Sequence, residues 1–441
     1  MTPYTPRQVD ELDGSLSQYW RFYWPLALTG VAMVLAIQFQ NAALARYPEA
    51  VTELAVFALA SGTFALFHAG LNFTAQLSTV YARSPTGTRR SRRFVAAASL
   101  ALMLPLLVLT HTGAGLELIG RVYGIDRDLV ARVAQYLTLM APILFVTGQR
   151  GFYTGMLVQT RLTGFVTALN VGHLAITVAA LVAGFSLGWQ PVYTLVGAQI
   201  LAASAHWLGS ALVCRAFYVP PSQPEHEQLR YGELARFFWP VTITGLMFAT
   251  SRPVLFAFVS RTPDGIASIA ALRIAFDFSM MFQQAANQFR HFFVTFGLDD
   301  LPTKRRFMAL VGVGITLMMA AVALTPLSEW VLEELMGIPR AVLLRSVDVI
   351  LVMCLLPTII LVRNYYHGHL MVWRRTGGMA VGGILRVCGI ALLAQLLHAA
   401  GLLDHIAAAL TLLLGFAIET ALVFVATRRV ARRLRRGQSD A

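Results

Sequence analysis

The sequence predicts an all-α polytopic membrane protein: twelve transmembrane helices in two six-helix lobes related by a parallel pseudo-two-fold axis. Three observations carry that expectation. Of 441 residues, 57% are apolar and only 13% charged, against roughly 25% charged in a soluble domain. Twelve apolar stretches are long enough to cross a bilayer, which takes about 20 residues. The first six of these stretches recur in the second six.

The spans lie at 20–45, 51–82, 94–112, 129–158, 162–187, 191–217, 233–260, 264–297, 306–326, 341–370, 375–400 and 403–427. The longer ones must tilt, kink or project beyond the hydrocarbon, and Pro25, Pro142, Pro240 and Pro357 fall within or at the ends of these. The loops after spans two, four, six, eight and ten, with the arginine tail from Arg428 to Arg436, hold twenty cations, whereas the opposite loops hold seven. Cations gather on the cytoplasmic side. Both termini are therefore expected in the cytoplasm, and the chain in the cell (inner) membrane.

Several classes drop out. Lys304 is the only lysine and follows no glycine run, which removes the nucleotide-binding P-loop and Schiff-base chemistry. Cys214, Cys354 and Cys388 are far apart among apolar residues and read as fillers. The first 18 residues hold Asp10, Glu11 and Asp13 and lack signal-peptide features. The histidines His68, His173 and His206 lie singly in different spans. No catalytic constellation, metal site or cofactor is expected, and the net charge of +13 reads as topology rather than nucleic-acid binding. The lipid bilayer and a small anion are the expected partners of a monomer.

The repeat is explicit. Arg21-Phe22-Tyr23-Trp24-Pro25 with Thr29-Gly30 recurs as Arg236-Phe237-Phe238-Trp239-Pro240 with Thr244-Gly245, an offset of 215. Gly124-Ile125-Asp126-Arg127 recurs as Gly337-Ile338-Pro339-Arg340. Arg150, Tyr153 and Gly155 recur as Arg363, Tyr366 and Gly368, and Arg161, Thr163 and Gly164 as Arg374, Thr376 and Gly377; these share an offset of 213. An even number of spans per repeat makes the lobes parallel. The expected division is an N-lobe over 1–217, a proline-rich cytoplasmic linker over 218–231, a C-lobe over 232–427 and a basic cytoplasmic tail over 428–441.

Ionisable groups at membrane depth face a cavity or a partner. They are Arg150 in span four, Arg252 in span seven, Arg273, Asp277 and Arg290 in span eight, Arg363 in span ten, Arg386 in span eleven and Glu419 in span twelve. The guanidinium excess invites an anionic substrate, whose carboxylate or phosphate oxygens match the arginine fork. Arg273 and Asp277, at i and i+4, also suit one another. Arg386 and Glu419 suit a bridge between spans eleven and twelve, and Arg290, Arg150 and Arg363 suit snorkelling. Pro253 is expected to break span seven beside Arg252. Uncharged polar groups extend the cavity: Gln38, Gln40 and Asn41 in span one, His68, Asn72 and Gln76 on one face of span two, and Gln283, Gln284, Asn287 and Gln288 in span eight.

Two six-helix lobes around a central cavity resemble the multidrug/oligosaccharidyl-lipid/polysaccharide (MOP) exporters, which include the MATE transporters, and within them the progressive ankylosis family. The resemblance covers nearly the whole chain. It is carried by Tyr19-Trp20 with Trp24-Pro25-Leu26; Phe238-Trp239-Pro240 with Ser251-Arg252-Pro253-Val254 and Phe258-Val259-Ser260-Arg261; Val362-Arg363, Gly368, Leu370-Met371 and Arg374-Arg375-Thr376; Leu385-Arg386; and Gly415-Phe416 with Glu419. It implies export of small anions of the citrate or dicarboxylate, pyrophosphate or ATP class by alternating access. The chain departs from the family at Asn72, Phe73 and Gln76, and at Gln40 or Asn41, where charged residues are replaced.

The expected mechanism is a cavity lined by spans one, two, seven, eight and ten that draws an anion through Arg252, Arg290 and Arg363. The lobes then rock about the linker. Arg150, Arg273, Asn41, Gln38, Asn72, Gln284 and Asn287 complete the expected substrate surface, with Asp277, Arg386 and Glu419 structural or coupling. The alternatives are a cation-coupled multidrug antiporter, which wants a carboxylate deep in span one where Gln38-Phe39-Gln40-Asn41 has none, and a flippase for a lipid-linked oligosaccharide.

Overall fold

A computed structural model describes residues 16–71, 74–160, 162–218, 230–287, 289–296, 298–373 and 377–439. Their regular structure is all helical. The N-lobe holds α1 (Leu16–Ala45), α2 (Ala50–His68), a 3₁₀ turn (Ala69–Leu71), α3 (Thr74–Tyr81), α4 (Pro85–His111), α5 (Gly113–Tyr123), α6 (Arg127–Gln159), α7 (Thr163–Ser186) and α8 (Pro191–Phe217). The C-lobe repeats the plan with α9 (Tyr231–Val259), α10 (Gly265–Asn287), α11 (Phe289–Phe296), α12 (Leu301–Leu324), a π turn (Glu329–Leu335), α13 (Arg340–Met353), α14 (Leu356–Val372), α15 (Gly377–Ala399) and α16 (His405–Ser439). Most of the linker lies outside the described residues. α16 runs unbroken through the expected tail boundary at 427.

Ten helical segments are long and apolar enough to cross a membrane, and α1 and α9 add the shorter apolar stretches Val34–Ala45 and Gly245–Val259. Those two helices are 30 and 29 residues long. Local signals set the helix starts. The Ser84 hydroxyl accepts from the Gly87 amide ahead of Pro85, Thr112 from Gly115 and Asp126 from Leu129, each satisfying an orphan amide of a first turn.

Hydropathy hides where long spans break. Span two ends as an α-helix at His68 and passes into a 3₁₀ turn; Asn72 and the side chain of Gln76, expected to share a face with His68, lie outside the described residues. In span eight α10 ends at Asn287 and α11 begins at Phe289, with residue 288 outside the described residues. The end of α2 frees backbone carbonyls that a neighbour must satisfy. Thr242 Oγ1 of the C-lobe donates to Gly70 O (3.4 Å) of the N-lobe, and Tyr23 Oη of the N-lobe donates to Ala285 O (2.8 Å) of the C-lobe. Span seven, by contrast, is not broken by Pro253: α9 continues through it, and the carbonyl left without an intrahelical donor belongs to Ala249, a cavity residue.

The repeated glycine of α6 has a packing reason. A Cβ on Gly155 would meet the carbonyl oxygen of Ala75 and Ser78 Oγ, so α3 closes on α6 only over a glycine; in the C-lobe, a Cβ on Gly368 would come within 2.6 Å of Phe293 Cβ of α11. Gly155→Ala is expected to lose about 1–3 kcal/mol by overpacking. Gly164→Ala, where a Cβ meets nothing within 4 Å, should unfold at the wild-type temperature when both are followed in detergent.

The lobes meet where α1 and α2 pack on α9 and α10. On the face away from the termini they are tied by a reciprocal pair of arginines. Arg46, just after α1, donates to Ala42 O one turn back (2.7 Å) and crosses to Met336 O (2.9 Å) and Leu335 O (2.7 Å) of the C-lobe. Arg261, just after α9, donates to Ala257 O one turn back and crosses to Arg121 O of the N-lobe. Each guanidinium stem lies against a left-handed glycine, Gly337 (φ 75°) and Gly124 (φ 63°) respectively. A side chain at either glycine would both strain the turn and push the arginine away.

Candidate substrate cavity between the lobes

Between these two layers of lobe-to-lobe contact lies a cavity of about 550 Å³. Its walls come from α1, α2, α6, α7 and α8 on one side and α9, α10 and α16 on the other. α13 and α14, which together make up the expected tenth span, contribute nothing to them. Much of the wall is aromatic: Phe57, Phe64, Phe248, Phe256, Phe276 and Phe416. Three arginines, Arg150, Arg252 and Arg273, and a single carboxylate, Asp277, supply its fixed charge.

The C-lobe charges form a network. Asp277 Oδ1 accepts from Arg252 Nη1 at 2.8 Å, and its Oδ2 lies 3.6 Å from Arg273 Nη2 and accepts from Asn41 Nδ2 at 3.3 Å. Arg273 is held further by Asn41 Oδ1 (2.9 Å), Ser61 Oγ (2.9 Å) and the Phe57 ring, whose centroid is 4.3 Å away. The i, i+4 pairing of Arg273 with Asp277 is thus present, but one carboxylate serves two guanidiniums. Arg273 and Asp277 are nearly sealed, whereas the Arg252 side chain keeps 31% of its surface open. Arg252 is the group within this network that a solute can reach.

A second cluster sits behind the wall. Glu419 Oε2 accepts from Arg386 Nη1 (2.6 Å) and Arg363 Nη1 (3.1 Å). Arg363 also donates to Asn287 Oδ1 (3.2 Å), and both guanidiniums lie over the ring of Phe416, at 5.5 and 4.8 Å. Arg363, expected at the cavity, is turned instead toward α16, where Glu419 takes its Nη1 and Asn287 its Nη2. It touches the cavity only through Asn287 and Phe416. The expected Arg386–Glu419 bridge is present.

The other expected residues divide. Gln284 and Asn287 line the cavity; Asn41 is fully buried beneath it; Gln38 is buried and does not line it. The side chain of Arg290, in α11, lies outside the described residues. Gln40 lines the cavity and accepts from Gln199 Nε2 at 3.1 Å. Span four lines the cavity through the expected Arg150 with Thr147, and spans five and six, not expected there, add His173, Thr177 and Gln199. The signal for Arg150 was its placement at membrane depth; for Gln199 and His173 a lone polar residue in an apolar span was too weak. Among the described residues no group of three or more side chains has the makings of a metal site.

Arg150 differs from the rest. It forms no hydrogen bond or ion pair with a described residue. Five guanidiniums against two carboxylates, Asp277 and Glu419, leave three positive charges in and beside the cavity.

Comparison with known proteins agrees with this architecture. The family described as progressive ankylosis protein (ANKH) matches residues 11–276. Solved structures with the same fold include an inward-facing multidrug resistance MATE family transporter of the MOP superfamily (13% identity, 92% of this chain and 96% of that one covered, TM-score 0.70). The lipid II flippase MurJ in an inward-closed conformation is similar at 13% identity, with 91% and 87% covered and a TM-score of 0.67. A third is a MOP superfamily transporter from Pyrococcus furiosus Vc1 (DSM3638) whose binding pocket has reverse polarity, suggesting a different function (11% identity, 95% and 97% covered, TM-score 0.56). At these identities the likeness is one of fold.

Proposed function

Since this chain belongs to the progressive ankylosis protein family and has the fold of a MOP-superfamily membrane transporter, we propose that it exports small organic or phosphate anions of the citrate or dicarboxylate, pyrophosphate or ATP class. The observation that carries this reading is the charge of the cavity: three arginines line it against one carboxylate, and that carboxylate is already shared by two of them. An anion completes the balance there, and a cation worsens it. A volume of about 550 Å³ suits a small solute, since such pockets span roughly 300–1,000 Å³.

The solute enters from the cytoplasmic side, where the excess of loop cations places the termini, and meets Arg252 first. The lobes then rock about the 218–231 segment, parting the Arg46 and Arg261 contacts on the far face to release it. A membrane potential negative inside assists, by about 2.3 kcal/mol per charge per 100 mV. A cation-coupled multidrug antiporter fits less well, because it needs a carboxylate free to exchange a cation, and Asp277 is held by Arg252, Arg273 and Asn41.

Flux of radiolabelled citrate, pyrophosphate and ATP in proteoliposomes tests the reading. Arg252→Ala leaves Asp277 with Arg273 and Asn41, so the fold should survive while anion flux falls roughly tenfold, the worth of one charge-assisted hydrogen bond. Unchanged anion flux in this variant, together with pumping of a cationic dye, would sink the proposal.

A further inference from the structure

The offset that relates the lobes also relates two triads of side chains. Adding 213 to Arg150, His173 and His206 gives Arg363, Arg386 and Glu419. In the C-lobe triad the carboxylate of Glu419 sits between the two guanidiniums, 3.1 Å from Arg363 and 2.6 Å from Arg386. In the N-lobe triad a histidine stands where that glutamate would be, and a second histidine replaces the second arginine.

The N-lobe triad is therefore a copy of an ion cluster without its anion. His173 and His206 lie with ring centroids 5.8 Å apart, and both feel the charge of Arg150. His206 is only 5% exposed, yet neither of its ring nitrogens has a hydrogen-bond partner among the described residues. Arg150 and His173 line the cavity. Glu53, the buried carboxylate of the N-lobe among the described residues, is taken by Arg132 and by Tyr136 Oη (2.8 Å). The half-buried Arg150 guanidinium has no counter-charge among the described residues, which is unfavourable at membrane depth.

We propose that Arg150 and His173 on the cavity wall, backed by His206, form a binding site for the carboxylate or phosphate group of a solute, which supplies the counter-charge that Glu419 supplies in the C-lobe. The guanidinium offers two parallel N–H donors to two oxygens, and each imidazole offers one N–H. The assignment rests on the anion reading of the cavity and sharpens it: the lobe opposite Arg252 has its own anionic station, built on the site that pseudo-symmetry leaves vacant.

The test restores the missing carboxylate. Binding of citrate, pyrophosphate and ATP to the full-length protein is measured by calorimetry in chloride-free detergent buffer. His206→Glu gives Arg150 an internal counter-ion, so the variant should unfold at a higher temperature than wild type without ligand, and bind these anions roughly tenfold or more weakly. Arg150→Gln should weaken binding to a similar degree, and His206→Gln, which adds no charge, far less than His206→Glu. Wild-type affinity in both His206→Glu and Arg150→Gln overturns the site while leaving the cavity reading intact. Chloride binding as tightly as citrate also overturns it, by making the occupant a halide rather than a carboxylate or phosphate, and failure of the wild type to bind citrate, pyrophosphate or ATP overturns both proposals.

Discussion

Glu419→Gln is expected to be the most damaging single substitution in the C-lobe. It leaves Arg363 and Arg386, 3% and 2% exposed, facing one another with no negative charge between them. Removing one partner of a buried ion pair generally loses about 3–5 kcal/mol, and here one deletion strands two guanidiniums. The expected result is a steep fall in thermal stability and in yield from the membrane. Adding Arg386→Met to Glu419→Gln should recover part of the loss, because it removes one stranded charge and keeps apolar contact with Phe416. If Glu419→Gln melted like wild type, the cluster would not be an electrostatic unit.

That cluster marks how far the sequence could be read. The presence of arginines at membrane depth was legible, because hydropathy locates the spans and a charge inside one stands out. Their pairing was not. Arg363 and Glu419 are brought together by the packing of α14 on α16, which no spacing along the chain specifies, so Arg363 reads equally well as a cavity residue. The lack of a partner for Arg150 among the described residues is likewise a tertiary fact: spans two, seven, eight, ten and twelve hold carboxylates, and only the folded chain shows that none of the described ones reaches it. Its relation to His173 and His206 was present at a constant offset but is invisible to a search for identical residues, since the site is defined by where the two lobes differ. The end of α2 at His68 escaped for another reason, as hydropathy averages over a short turn.

Loss of both inter-lobe arginines, Arg46→Ala with Arg261→Ala, should produce the largest conformational effect. Together they make three hydrogen bonds across the lobes, to Met336, Leu335 and Arg121 carbonyls. Arg46 and Arg261 are exposed, so each bond contributes at the modest end, about 0.5–1.5 kcal/mol. A loss of around 3 kcal/mol for the pair corresponds to a shift of roughly a hundredfold in the ratio of closed to parted lobes on that face. Spin labels on α5 and at the far end of α9 would read this as a longer distance, partial in each single variant and dominant in the double. Distances identical to wild type would mean that these arginines decorate the face rather than hold it. In the sequence both residues counted as topology signals, because a rule that counts cations takes no account of the carbonyls they meet.

The surplus of three positive charges around the cavity also governs what must stay out. Any machine that opens a wet path through a membrane risks short-circuiting it, since a file of water conducts protons and a hydrated gap admits sodium. A unit cation near a fixed guanidinium meets a repulsion of about 4 kcal/mol at 4 Å for an effective dielectric constant of 20, and arginines exclude cations and protons from other pores in this way. Arg150 on one wall and Arg252 on the other place such a barrier on both sides of the gap. On the proposed export of anions, the same charges that admit the cargo keep the membrane insulated to protons and metal cations.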